Sequence, residues 1–233
     1  MPNVIIPTDT IFGVKIEGAM KRFEEKERAE REKAGNSTQQ IDNFIYVPSI
    51  ALYVAKKRTH LNEDWPQTNK SLNAEGLRMP IIQEFIEFLK YLKSSNNQEY
   101  LEIYKDITEV RDPWRAEWLD ADFKVKDKKL YINYNHVLDS NGNLIYKNSE
   151  VLDKATLMED KTPGISLEDY LTNNNTKQGL PSKNVKSGDF YYWFPRDDNN
   201  SVARFDADSG GAGLDGDRDP SVRDSSLGVF AVK

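Results

Sequence analysis

The feature that most constrains this chain is a segment between positions 206 and 224 built largely of Asp and Gly. Asp206, Asp208, Gly210, Gly211, Gly213, Asp215, Gly216, Asp217, Asp219 and Asp224 fall there, punctuated by Ala207, Ala212, Leu214 and Pro220. Asp and Gly are poor strand formers, and a tract of this composition reads by itself as loop. Its flanks read otherwise. Tyr191-Tyr192-Trp193-Phe194 and Ser201–Phe205 precede it, and Leu227–Val232 follow without a charge, all with the aromatic and β-branched character of buried strands. The expectation is a solvent-facing surface pinned at both ends by a packed sheet.

A metal is one use for so many carboxylates. Asp215-Gly216-Asp217-Arg218-Asp219 opens like an EF-hand loop, but Pro220 stands where the turn Gly belongs and Ser226 where the bidentate Glu belongs. Gly210 to Asp217 starts like a calcium β-roll repeat, with Asp217 at the large apolar position and no second copy. An acidic solvated loop is the plainer alternative.

A third reading comes from resemblance. Phe205-x-Ala207-x-Ser209, then Arg218, Pro220, Ser221, Gly228 and Val229 resemble the closing segment of formylglycine-generating-enzyme-like C-type lectin folds, with Phe230 in place of a final Arg. Upstream, Arg78, Pro80, Glu84 and Phe85 resemble the segment that opens the second helix of those folds, with Ile81 replacing a capping Thr. That subfamily includes the variable proteins of diversity-generating retroelements, and the archaeal and archaeal-virus branch is the most similar. In them the C-terminal region is rewritten by adenine-directed mutagenesis. An Asn codon AAC becomes Asp or Ser by one adenine-to-guanine change and Gly by two, which would leave Asp, Gly and Ser interleaved with fixed apolar residues.

The whole chain is consistent with a folded domain. Its 233 residues are enough for a sizeable core, with 38% hydrophobic, 11% aromatic and 30% charged residues. A net charge of -6 argues against phosphate-mediated nucleic-acid binding. No apolar run has the length of a membrane span, and the N-terminal residues lack a signal-peptide pattern. The absence of cysteine removes disulfides, thiolate metal sites and the paired cysteines on which formylglycine-generating oxidases depend. With only His60 and His136, a Ser-His-Asp triad has little to work with.

Along the chain, 4–7 and 11–14 read as short extended pieces and 16–34 as a helix ended by Gly35-Asn36. Phe44–Val47 and Ile50–Ala55 read as strands around Pro48, the second with a helix as its alternative, and Trp65-Pro66 as part of a polar loop. Ile82, Phe85, Ile86, Leu89 and Leu92 give an apolar face to a helix over 81–93 that starts after Pro80. Tyr100–Tyr104 extends as helix. Asp127-Lys128-Lys129 and Asp139–Asn143, the latter with an Asn-Gly pair, read as hairpin turns between strands ending near Tyr146. Residues 162–186 are polar, with one short helix over 165–171 capped by Ser166.

Carboxylate pairs such as Glu117 with Asp120, or Asp206 with Asp208, read as surface solvation, since nothing nearby suggests an apolar pocket. His136 reads as structural, and His60 as lying in a polar loop without an evident partner. The resulting expectation is one α+β domain over 1–233 of C-type lectin type: two helices, small mostly antiparallel sheets and long irregular segments. Its variable region would span about 193–229. It would be a ligand-display protein, not an enzyme, with neither metal nor cofactor. The ligand-binding residues would be Asp206, Asp208, Gly210, Gly211, Asp215, Gly216, Asp217, Asp219, Val222, Arg223 and Asp224. Trp193, Phe205, Leu214, Pro220, Leu227, Gly228 and Val229 would be scaffold. The expected partner is a protein or glycan on a cell surface, with no membrane insertion; whether the protein is displayed on a virion, on a cell or lies in the cytoplasm the sequence leaves open. The alternative is a calcium-dependent carbohydrate-binding or glycoside-cleaving protein using the same carboxylates, lined by Trp114, Trp118 and Trp193.

Overall fold

The computed structural model describes residues 10–11, 14–15, 42–172 and 175–233. By contacts the chain divides into two units, 1–44 and 45–233. In the first, β1 (Thr10–Ile11) and β2 (Val14–Lys15) pair antiparallel. The extended piece expected over 4–7 and the helix expected over 16–34 lie outside the described residues.

The division falls within a hairpin, β3 (Phe44–Val47) and β4 (Leu52–Ala55), which from Ile45 belongs to the second unit; the turn between the strands passes Pro48 and Ala51, whose φ is 52°. Helix α1 (Trp65–Ala74) follows, which overturns the reading of Trp65-Pro66 as loop. Asp64 caps it by accepting from the Gln67 amide at 2.9 Å, and Pro66 occupies the first turn, where a missing N–H costs nothing. The α1 residues Gln67 to Ser71 are polar, so no apolar stripe announces the helix; Trp65 and Leu72 anchor it.

Helix α2 (Ile82–Ser94) has the expected apolar face, with Ile82, Phe85, Ile86, Phe88, Leu89 and Leu92 all buried. Ile81 has no side-chain acceptor to cap it. Glu84 supplies the missing contact from within, accepting from the Ile81 amide at 3.0 Å and from Arg78 at 2.6 and 2.7 Å. Helix α3 (Gln98–Thr108) is capped by Asn97.

Strands β5 (Arg115–Lys126) and β6 (Lys129–Leu138) are joined by Asp127 and Lys128, both with positive φ, as a tight two-residue hairpin demands. Asp139 ties the next turn by accepting from the Asn141 and Asn143 amides, both at 2.8 Å, and β7 (Leu144–Val151) leaves it. Strand β8 (Lys161–Ile165) leads into α4 (Leu167–Thr172), whose Asp169 amide donates to Ser166 Oγ at 3.2 Å. The chain then forms β9 (Phe190–Trp193), β10 (Ser201–Ala207), β11 (Ala212–Arg218) and β12 (Leu227–Gly228).

The last eight strands form one sheet in the order β7-β6-β5-β10-β11-β9-β8, with β12 also on β5. Pairing is antiparallel except for β11 with β9 and β12 with β5. On β5, β6 takes Asp122 to Lys126 and β12 takes Ala116 and Glu117, so each half of that strand is paired on this edge. The architecture is α+β with mostly antiparallel sheets, and the described residues hold four helices where two were expected.

One face of the sheet carries Leu119, Ala121, Phe123, Ala203, Phe205 and Leu214 into a core with α2. Ring pairs Phe85–Phe205 at 5.4 Å, Phe190–Phe205 at 5.5 Å and Phe88–Phe230 at 5.8 Å mark its centre. Each buried Phe stabilises by about 1.5–3 kcal/mol relative to exposure. Residues 229–232 close the unit: Val229 exchanges backbone hydrogen bonds with Thr59, the Ala55 amide donates to Ala231 O at 2.8 Å, and Val232 exchanges bonds with Arg78.

Candidate functional site

The Asp/Gly tract is not a loop. Its first half is the hairpin β10–β11 in the middle of the large sheet, and the register explains how Asp and Gly come to sit in strands. Phe205 pairs with Leu214 and Ala207 with Ala212, and these face the core. Arg204 pairs with Asp215 and Asp206 with Gly213, which by strand alternation face the other way. Each Asp here has an Arg partner, which offsets its poor intrinsic strand preference. Gly216 is required by a close approach: a Cβ there would lie 2.8 Å from Pro195 Cγ. Gly211, at φ 145°, lets the hairpin turn close.

This outer face is an ion-pair network. Arg204 Nη2 donates to Asp206 at 2.7 Å and to Asp215 at 2.9 Å. Arg218 Nε donates to Asp215 at 2.7 Å, and Arg196 Nη2 to Asp217 at 2.7 Å. The Arg204 guanidinium lies 5.2 Å from the Trp114 ring centre, a cation–π contact. Through the β11–β9 register, the half-buried Tyr191 and Trp193 join the same face beside Gly213 and Asp215. Burial and the adjacent Asp215 charge push the Asp206 carboxyl up to about 7, against the pull of Arg204. Near neutral pH Asp206 is therefore only partly ionised. The surface offers balanced charge, directed donors and acceptors, and flat aromatic area.

The proposed contact residues divide by burial. Asp208, Gly210, Asp219 and Arg223 are exposed, and Asp206, Gly211, Asp217, Val222 and Asp224 are partly so. Asp215 and Gly216 are buried, contrary to the expectation that they face solvent. Asp215 points outward but lies beneath Arg204 and Arg218, and Gly216 lies against Pro195. Nor do the residues converge on one pocket. Asp208, Gly210 and Gly211 form the turn before β11, Asp208 accepting from the Gly210 amide at 2.6 Å. Asp219 to Asp224 follow β11, about 23 Å away at the rise of a strand. There Asp219 accepts from Ser221 N and Oγ, Asp224 from the Ser226 amide, and Arg223 pairs with Asp64 at 2.6 Å. The contact set runs from the end of β10 through the turn and along β11 into the segment after it. Beside the turn opens a cleft of about 330 Å³, lined by Val110, Ser166, Asp189, Gly210 and Gly211 among others.

Of the expected scaffold, Phe205, Leu214, Leu227, Gly228 and Val229 are buried, whereas Trp193 and Pro220 are half-buried. The carboxylates that open an EF-hand-like run are already engaged, Asp215 and Asp217 by arginines and Asp219 by Ser221. Among the described residues, no group of three or more His, Asp or Glu side chains is arranged to hold a metal ion.

Two carboxylates read as surface solvation are buried instead: Glu117 is 2% exposed and Asp120 fully enclosed. Burial pushes Glu117 up to about 8, with Arg58 at 3.6 Å and Arg115 opposing. Asp120 accepts from the His136 amide at 3.0 Å and meets its Nδ1 at 2.5 Å, and the His136 ring packs edge-on against Trp65. His60 does have a partner, Glu75 at 3.2 Å. Arg196, Arg204, Arg218 and Trp114 were not among the expected contacts. Their signal was the Arg204-x-Asp206 and Asp215-x-x-Arg218 spacing, which sets opposite charges together once the hairpin register is known. No family model matches this chain, and comparisons with curated proteins and with solved structures return no match.

Proposed function

We propose that this chain is a ligand-binding display protein: a C-type lectin-like scaffold of the formylglycine-generating-enzyme-like type, whose C-terminal surface is diversified by adenine-directed retroelement mutagenesis. The observation that carries this reading is the division of roles along β10 and β11. Phe205, Ala207, Ala212 and Leu214 hold the hairpin from the core side, while the tract's Asp residues occupy the outer face, the turn and the segment after β11. A surface held in this way tolerates changes of side chain at its exposed positions without loss of the backbone that presents them. The fold reading is supported by the closure of 229–232 on β4 and Arg78, and by the Arg78–Glu84 pair at the start of α2. The ligand would be a protein or glycan on a cell surface, recognised by hydrogen bonding and aromatic contact without chemistry.

The test is at the gene. A near-copy of the 3′ coding end should lie close by, beside a reverse transcriptase, and differ from the gene almost only where the copy has adenine. The differing codons should include those for Asp206, Asp208, Asp217, Asp219, Val222 and Asp224. They should spare Phe205, Leu214, Leu227 and Gly228, whose replacement opens cavities or crowds the backbone. The absence of a copy, or mismatches spread evenly over the four bases, would remove the basis for a diversified surface.

A further inference from the structure

The two outer strands of the large sheet, unpaired on their outer sides among the described residues, are unlike. One is β8, which carries Pro163 and Gly164 and pairs with β9 in broken register between Lys161 and Ile165. Proline has no N–H to give and a broken register spoils a template, so this edge is blunted in the way natural sheets protect themselves. The other is β7, eight residues without Pro or Gly, paired to β6 in unbroken register except at the left-handed Asn135. Among the described residues no strand pairs its outer side. It also exposes apolar side chains: Ile145 is 45%, Tyr146 50% and Val151 45% open to solvent. A strand of this length presents alternate N–H and C=O groups over about 27 Å.

We propose that β7 pairs antiparallel with β7 of a second copy of this chain, about a two-fold axis through Asn148. The sequence of the strand selects this register. Edge-to-edge antiparallel pairing keeps each face of the sheet continuous, so only residues on the same face can stand opposite each other. Centred on Asn148, the pairing sets Ile145 opposite Val151 at both ends, Tyr146 opposite Glu150, and Lys147 opposite Ser149. Both exposed aliphatic residues are then covered by each other, and no like charges face. Shifting the axis to Lys147 brings lysine against lysine, and shifting it to Ser149 sets Val151 against Lys147 and Ile145 against Asp153. A second copy fits this edge, and β8 does not, because an isologous contact closes on itself and uses only the intact template. Two eight-stranded sheets become one. The contact is a single strand wide, below the size of standard stable interfaces, so the dimer is reversible and concentration-dependent.

Sedimentation of the full chain from micromolar to millimolar concentration tests this. The native chain should pass from monomer to dimer. Ile145→Lys with Val151→Lys faces like charges at both ends and should weaken dimerisation by at least an order of magnitude, with unchanged circular dichroism. Ile145→Lys with Val151→Glu sets opposite charges together only in this register and should restore it. Because the chain has no cysteine, Asn148→Cys gives an independent readout: a disulfide-linked dimer on mild oxidation, which Leu61→Cys, likewise exposed but not on β7, should not form. A native chain that stays monomeric would overturn the proposal. So would a dimer indifferent to the paired lysines, or one that the Lys–Glu combination fails to restore.

Discussion

Replacing Asp215 with Ala isolates the network on the outer face. The carboxylate is 1% exposed and accepts from two guanidinium groups, Arg204 at 2.9 Å and Arg218 at 2.7 Å. Hydrogen bonds to a charged group are worth about 1.5–3 kcal/mol each, and breaking a buried pair from one side costs about 3–5 kcal/mol. Two features hold the loss to the lower end. Asp206 still accepts from Arg204, and without the Asp215 charge it ionises more readily and neutralises that arginine better. Arg218 is one-third exposed and turns to water or to Asp217. The expected loss is about 3 kcal/mol, read as a lower urea midpoint at unchanged slope. Asp219→Ala, at an exposed turn, should cost about 1 kcal/mol or less. A pH series adds a sign. The Asp206 carboxyl is raised from 3.8 to about 7, so the native state holds a proton that the unfolded chain releases, and stability falls as pH rises across that window. Asp215→Ala should shrink this fall. Equal midpoint shifts for Asp215→Ala and Asp219→Ala would show that the buried network does not exist.

Leu227→Ala should destabilise by about 2–5 kcal/mol, because the side chain is fully buried on β12; a change under about 0.5 kcal/mol in the same assay would show the segment to be unpacked. Gly216→Ala should cost about 1–3 kcal/mol through the clash with Pro195, and a neutral result would mean that the Pro195 contact is absent. Glu117, raised from 4.5 to about 8, binds a proton in the native state that the unfolded chain lacks, so it too makes stability fall as pH rises between those values. Glu117→Gln should flatten that part of the profile, and superimposable slopes for the two proteins would exclude it.

What could be read in advance follows from which forces act locally. Helix α2 was legible because its apolar stripe and Pro80 are contiguous signals, and both β-turns because Asn-Gly and charged tight turns bear their own chemistry. Helix α1 was not, because its buried face is Trp65 and Leu72 with the polar Thr68 and Asn69 between them, so no apolar stripe marks it. The burial of Glu117 and Asp120 was hidden because β5 is covered on both faces, and eight successive residues from Ala116 are buried, erasing the period-two alternation of a half-exposed strand. That part of the tract lies in strands, with Asp215 and Gly216 buried, was hidden because what makes its Asp and Gly residues strand-like is non-local. Arg204 reaches Asp215 only across the hairpin, and Gly216 meets Pro195 only after β9 and β11 align.

The backbone seam joining residues 229–232 to β4 bears on time as well as on shape. Val54 and Val232 are bridged although roughly 180 residues separate them, and closing a flexible loop of that length costs about 4–5 kcal/mol of chain entropy. Such a contact forms late, after local hairpins and helices have shortened the path. It is therefore expected to slow unfolding without speeding folding. Both β10 and β12 also dock on β5, so the chain between them, with its exposed turn and the segment after β11, is tethered at each end to the same strand. Substitutions at exposed positions within it leave that tether and the seam intact, so sequence can turn over at the surface while the lifetime of the folded state is set elsewhere.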